Sequence, residues 1–489
     1  MFSIHCIMDT IIKLVSLTLI LSTITIICLT IIIPIWIIYW RHVFKNRRKL
    51  NKKKNPSIGI FHPYCNAGGG GERVLWSAIE AIQKEYSKVK IIVYTGDLDA
   101  HPEKMLNKVK STFDITLNPI EFIYLHRRKW IEADCYPRLT LLAQSIGSIY
   151  LGFEALKSYQ PDIFIDTMGY AFTYPLFKYI GGCSIGSYTH YPTISTDMLR
   201  HVYRRVESHN NHRTIARNPF LSGAKILYYH LFAILYGLMG SCADIIMVNS
   251  SWTEEHINAI WKCPLKTHRV YPPCDIVRLV NLPLLSNAEK GGVIRIISVA
   301  QFRPEKNHQL MIRIMYELRS IIKDDLWKNI KLVLVGSCRN DDDKNRVKDM
   351  QDLSKYFAVD ENVEFKLNLT YNELINEYQM STIGIHTMWN EHFGISVVEC
   401  MAAGLITIAH DSGGPRSDII ETQQGSQTGF LAWNAIEYAN IIKHIISLSD
   451  DDKNNIINAA RASVSRFSCE TFEREFLRTV APFFRPKLE

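Results

Sequence analysis

Residues 383–415 read IGIHTMWNEHFGISVVECMAAGLITIAHDSGGP. A short β-branched run ends near His386, a polar loop carries Glu391, Gly394 permits a tight turn into a helix carrying Glu399, and a second β-branched run ends at His410. Strand, helix and strand in that order are the unit of parallel α/β domains. Glu391 and Glu399 flank the helix entry, eight positions apart, so the pair can reach two parts of one ligand. A bare carboxylate repels phosphate, and the natural partners of the pair are therefore hydroxyl groups. Gly413-Gly414-Pro415, after the second strand, suits a loop of backbone N–H donors at a helix N-terminus.

Working outward, the same alternation runs through most of the chain. Strands are expected at Ile58–His62, Lys90–Tyr94, Ile163–Asp166, Ser184–Thr189 and Ile245–Asn249. After the proline-rich Tyr271–Asp275 connection, alternation restarts with Ile294–Val299, Lys331–Gly336, Val363–Lys366, Ile383–His386 and Leu405–His410. This predicts an α/β protein with one domain over 56–275 and a second over 276–468, with a closing helical segment, 469–489, packing back on the first. Ligands of such sheets bind beyond the carboxyl ends of the strands, so the cleft between the domains is the expected site.

The chain has 489 residues, of which 47% are apolar and 21% charged, a composition that excludes intrinsic disorder. Arg41, Lys45, Arg47, Arg48, Lys49, Lys52, Lys53 and Lys54 account for the whole net charge of +8. The body is therefore balanced, and a nucleic-acid partner is not expected. Before this cluster, Leu14–Trp40 carries no charged residue and is long enough, about 40 Å as a helix, to span a bilayer with tilt. It is too long, and its basic flank lies on the wrong side, for a cleaved signal peptide. Residues 1–40 are thus expected to form a membrane anchor and 41–55 a basic linker, with the body on the cytosolic side. Eleven scattered cysteines without a CxxC pair suggest neither a disulfide framework nor a zinc site.

Further motifs carry chemistry. Gly68, Gly69, Gly70 and Gly71 precede a helix starting near Glu72, which fits either an anion or sugar-phosphate cradle or a plain tight turn. Arg303 and Lys306 follow a strand at the entry to the next helix, where two permanent cations fit either a departing diphosphate or an ordinary charged turn. Asp97-Leu98-Asp99 imitates a metal-binding DxD motif. Ile226–Met239 is apolar nearly all round, which fits either a buried helix or a segment lying in a membrane interface, with Arg200, Arg204, Arg205, Arg213 and Arg217 upstream as anionic-lipid contacts or a solvated loop.

The E-x7-E stretch, the Arg303/Lys306 turn and the glycine-rich loop together resemble the retaining GT-B glycosyltransferases that use nucleotide sugars. AGGGGERVLW, SYTHYPTISTDML, SVAQFRPEKNHQL and EHFGISVVECMAAG more narrowly resemble the α-1,2-mannosyltransferases of asparagine-linked glycosylation. The resemblance implies two Rossmann-like domains facing across a cleft and an N-terminal transmembrane helix in the endoplasmic reticulum membrane. It implies GDP-mannose as donor, a dolichol-diphosphate-linked oligosaccharide as acceptor of its fourth and fifth mannoses, other mannosyltransferases of the pathway as partners, and no metal or other cofactor. Under it, Glu399 holds the nucleotide ribose and Glu391 the mannose hydroxyls, while Arg303 and Lys306 bind the diphosphate and His190 faces the mannose and acceptor. Many relatives carry the arginine two positions earlier, where this chain has Gln301. Two other readings fit the same motifs: a sister transferase for another lipid or nucleotide sugar, and a silent scaffold of a glycosylation complex.

Overall fold

The β-branched runs become the strands of two parallel sheets. The computed structural model describes residues 2–50, 55–198, 219–286, 288–338, 340–423 and 425–484. The five arginines upstream of Ile226 and the lysines at 52–54 lie outside the described residues. The first sheet comprises β1 (Ser57–Phe61), β2 (Lys90–Thr95), β3 (Glu121–Tyr124), β4 (Ile163–Asp166), β5 (Ser184–Thr189), β6 (Ile245–Val248) and β7 (Thr267–Arg269), in the order β3-β2-β1-β4-β5-β6-β7. The second has β8 (Ile294–Val299), β9 (Ile330–Gly336), β10 (Val363–Leu367), β11 (Ile383–His386) and β12 (Ile406–His410). A small hairpin, β13 (Thr422–Gln423) and β14 (Ser426–Gln427), then precedes β15 (Phe430–Ala432) at the sheet edge, giving the order β10-β9-β8-β11-β12-β15.

Both orders reverse beside the first strand of their domain, and each reversal opens a crevice at the carboxyl ends of the strands. This is the pair of facing Rossmann-like domains that the resemblance implies. The central strands are buried along their whole length, as in β1, β4 and β11, so they read as continuous apolar runs rather than alternating ones. The sequence reading missed β3, β7 and β15, which are short edge strands with polar or exposed positions.

The helices that matter here are α1 (Phe2–Leu50), α2 (Gly70–Glu85), α3 (Thr140–Ser158), α4 (Pro219–Gly240), α5 (Ser251–Trp261), α6 (Ile395–Ala402) and α7 (Cys469–Val480). The backbone of α1 is helical through Leu50, so the first ten residues of the expected linker, 41–50, continue the helix. Phe44 is fully buried in the first-domain core, the Trp40 ring meets Phe153 of α3 at 5.0 Å, and Arg47 and Arg48 donate to the carbonyls of Lys157 (2.9 Å) and Pro161 (3.0 Å). Many side chains of Leu14–Trp40 lie outside the described residues, and among the described residues no helix is long and apolar enough to cross a membrane.

Helix α4 is neither wholly buried nor wholly free. Tyr229, Phe232 and Tyr236 are buried in the first-domain core, whereas Leu227, Leu231, Ile234 and Leu238 stand out from the opposite face. A plain buried helix is thereby excluded. Its approach to α5 requires Gly240, where a Cβ would lie 2.1 Å from the Trp261 ring.

The chain passes between domains twice, side by side, where Cys274 bridges to Ser468. Past the second crossing, Ser468 caps α7, and Phe472, Phe476 and Val480 enter the same apolar cluster as Val74, Leu75 and Ile79 of α2. The side chain of Asp418, from the second domain and 1% exposed, accepts the Ser251 N–H at 2.9 Å and its hydroxyl at 2.6 Å, tying it to the start of α5. Phe476→Ala is expected to destabilise the protein by about 3–5 kcal/mol, read as a lower denaturant midpoint. An unchanged midpoint would mean that α7 contributes no packing to the first domain.

Candidate functional site

A cleft of about 970 Å³ separates the two sheets' carboxyl edges. Its second-domain wall carries Gln301, Arg303, Lys306 and Glu391, and its first-domain wall carries Gly69, Gly70, Tyr191 and Asp197. The domains touch across it. Gly70, in the first turn of α2, sits where a Cβ would lie 2.9 Å from Ile395 Cδ1, and Asn390 Nδ2 donates to Asp197 Oδ2 at 2.8 Å.

The Glu391 loop is fixed by glycines together with the buried Phe393 ring, which packs on Tyr271 and Phe467. Gly394 has φ +111° at the entry to α6, and Gly413 has φ +60° where a Cβ would lie 2.2 Å from the Glu391 carbonyl oxygen. Gly414 donates its N–H to that carbonyl at 2.7 Å, and Ser412 Oγ accepts the Asn390 N–H at 2.8 Å. This corrects the expectation of a donor loop at Gly413 and Gly414: the Gly414 N–H is spent on holding the Glu391 backbone, and neither glycine lines the cleft.

The Glu391 carboxylate pairs with Lys306 Nζ and lies 3.0 Å from His386 Nε2. Burial alone would raise its pKa, but the Lys306 ammonium and the His386 hydrogen bond outweigh this and hold it well below the ordinary carboxylate range. Arg303 and Lys306 stand on and beside the single turn Pro304–Lys306 that follows β8. Arg303 is about half exposed, with Glu305 at 3.8 Å, and its guanidinium faces solvent within reach of the cleft.

Glu399 does not line this cleft. Its carboxylate accepts the Tyr378 hydroxyl at 3.2 Å, and burial pushes its pKa up against the opposing pull of Arg73 from α2. The pair eight apart therefore faces two different surroundings, one strongly anionic beside cations and one enclosed near the hinge.

The glycine-rich loop also differs from expectation. Gly68 takes φ +82° and Gly69 caps α2, but the Gly69 N–H is taken by the chain's own Glu72 carboxylate, so the first donor of the cradle already holds an anion. Glu72 in turn lies 3.3 Å from His62 Nε2, whose Nδ1 is 2.7 Å from Thr167 Oγ1. His190 does not reach the cleft wall. Its Nε2 lies beneath Gly71, sealed from solvent and without a hydrogen-bond partner, and burial pushes its pKa down to about 4. Asp97 is engaged by Arg128 and by the Asn66 N–H at 2.9 Å, which removes the first carboxylate from a DxD metal reading.

Three residues went unread in the sequence. Glu72 could have been found as an acidic residue at N3 of α2, placed to accept the N–H of the Gly69 N-cap. His386, at the end of β11, and Asp197, which only the approach of the domains brings to Asn390, gave no signal. Stability should carry the mark of three largely desolvated histidines. His190, His308 and His392 are each pushed down from 6.5 to about 4, chiefly by burial. Between those values the unfolded chain binds more protons than the folded one, so stability is present above about pH 6.5 and falls as pH drops toward 4. Thermal midpoints across this window are expected to fall with pH, and less steeply in His190→Gln.

The comparisons with known proteins agree with this geometry. Residues 55–261 match the family described as ALG11 mannosyltransferase N-terminus and residues 286–463 that described as glycosyl transferases group 1. The crystal structure of Anabaena Alr3699/HepE in complex with UDP and glucose shares the fold, with a TM-score of 0.60 at 16% identity over 87% of this chain and 100% of that one. Two relatives carry the name GDP-Man:Man(3)GlcNAc(2)-PP-Dol alpha-1,2-mannosyltransferase. The one from Mus musculus is 50% identical over 92% of each chain, and the one from Homo sapiens is 50% identical over 94% of this chain and 95% of its own. Alignment at that level across both domains, over a cleft holding Arg303, Lys306 and Glu391, shows that the chain belongs to the family of GDP-Man:Man(3)GlcNAc(2)-PP-Dol alpha-1,2-mannosyltransferases.

Proposed function

We propose that this protein transfers mannose from GDP-mannose to a dolichol-diphosphate-linked oligosaccharide, forming α-1,2 linkages as it adds the fourth and fifth mannoses. The single observation that carries the reading is the second-domain wall of the cleft, lined by Arg303 and by Lys306 paired with an ionised Glu391. Two cations there can take up charge on a leaving diphosphate, and a carboxylate can accept sugar hydroxyls. Donor and product are both α-linked, so configuration is retained. A same-face path fits: the acceptor hydroxyl attacks the anomeric carbon, the bond to the diphosphate breaks, and the hydroxyl's proton passes to the departing β-phosphate oxygen. Lys306 reaches the diphosphate by loosening its pair with Glu391. Glu399, beside Tyr378 and away from the main cleft, fits the ribose, and His190 acts from behind α2 by supporting its first turn.

The membrane is the natural place for this acceptor. Leu14–Trp40 would span the endoplasmic reticulum bilayer and leave the body on its cytosolic side. Because α1 is packed against α3 and its arginines hold first-domain carbonyls, the cleft keeps a fixed bearing to the anchor. The outward leucines of α4 lie on the same domain and suit an interfacial contact. No metal enters this scheme, since the protein's own cations face the phosphates.

Lys306→Met is expected to lower transfer at least about 100-fold, scored by mass analysis of the glycolipid formed from GDP-mannose and a lipid-linked trimannosyl acceptor. A product lengthened at the native rate would remove Lys306 from the mechanism. Native enzyme is expected to keep its rate in EDTA, and loss restored by Mn²⁺ would put a metal at the diphosphate.

A further inference from the structure

The Glu391 carboxylate has two side-chain donors on one oxygen. Lys306 Nζ and His386 Nε2 both meet Oε2, while Oε1 takes the backbone N–H of His392 at 3.2 Å. The two donors differ in what they can do when a ligand arrives. Lys306 lines the cleft at the end of a flexible stem, and a diphosphate attracts it. His386 ends β11, its side chain is 4% exposed, it does not line the cleft, and its own carbonyl is held by the Tyr438 hydroxyl at 2.8 Å. The ring cannot follow the ligand.

Charge separates the two donors as well. An ionised carboxylate only accepts, so His386 must present Nε2–H. Burial pulls the ring's pKa below its ordinary value, and His386 therefore donates as a neutral imidazole. It holds the carboxylate without adding a second positive charge beside Lys306.

We infer that His386 is a positioning residue for the transfer reaction: a fixed, neutral hydrogen-bond donor that keeps Glu391 ionised and aimed into the cleft once the donor's diphosphate draws Lys306 away. The inference rests on the reading of Glu391 as the residue that faces the transferred sugar. Without His386, a liganded enzyme would leave Oε2 with no side-chain partner in a buried setting. The carboxylate would then take up a proton or swing back toward Lys306. Either response spoils the sugar's orientation, and displacements of about 1 Å cost on the order of 100-fold in rate.

The test uses the full-length chain in detergent with GDP-mannose and the lipid-linked acceptor. His386→Leu and His386→Gln are each made alone and in a Glu391→Gln background, with GDP affinity and thermal midpoint measured throughout. His386→Leu is expected to lower kcat about 10- to 100-fold with the KM for GDP-mannose within about twofold. His386→Gln, whose amide can donate from a similar position, is expected to recover most of the loss. In the Glu391→Gln background, His386→Leu is expected to change nothing further, because the group it acts through is gone. An unchanged kcat in His386→Leu, or an equal further loss in the Glu391→Gln background, would overturn the inference and leave a packing role only. If Glu391→Gln alone transfers at the native rate, the reading of Glu391 fails, and the inference falls with it for that separate reason. Should His386→Leu not fold, His386→Gln decides: a loss of kcat as deep as that of Glu391→Gln overturns the donor role.

Discussion

Everything at the site depends on one carboxylate kept ionised where little water reaches it. Glu391 can stay charged because a lysine and a histidine meet the same oxygen. It can hold its place because Gly413 lets the neighbouring chain lie against its backbone. Those conditions come from four separate segments: the turn after β8, the end of β11, the loop after it and the loop after β12. The second sheet exists, in functional terms, to bring those four ends to one point. Its strand order, reversing between β8 and β11, is what places them side by side.

The first domain contributes differently. Its wall of the cleft is built around α2, whose N-terminus is already occupied by Glu72, and around Tyr191, whose ring lies 4.2 Å from that of His392 across the gap. The lobes are held near one another by Asn390 on Asp197 and by Asp418 on Ser251, two polar contacts in different parts of the interface. Such bonds exchange readily with water when exposed but are strong when sealed. The Asp418 bond is sealed and lies close to the double crossing of the chain, whereas the Asp197 bond borders the cleft. The geometry thus combines a firm hinge side with an open side that a substrate can enter.

The attachment of α1 to the first domain completes the arrangement. A basic run after an apolar helix reads as a flexible tether, yet Phe44 and the two arginines make it part of the first domain.

The fold class, the two domains, the site of the hinge and ten of the strands were legible in the residues themselves, because parallel strands buried on both faces must be written as unbroken apolar runs. Glu391, Arg303 and Lys306 could be placed from the sequence beyond the carboxyl ends of second-domain strands, and all three line the cleft. The short edge strands β3, β7 and β15 were not, because they bury little. Only the tertiary structure decided that Gly414 serves the Glu391 backbone, that His190 lies behind α2, that Glu72 fills the glycine loop, and that His386 reaches Glu391. Each of these is a contact between segments whose spacing along the chain carries no trace of their distance in space. A hydrogen bond acts over about 3 Å, and a sequence records which groups can form one but not which of them the packing of two sheets will bring within that range.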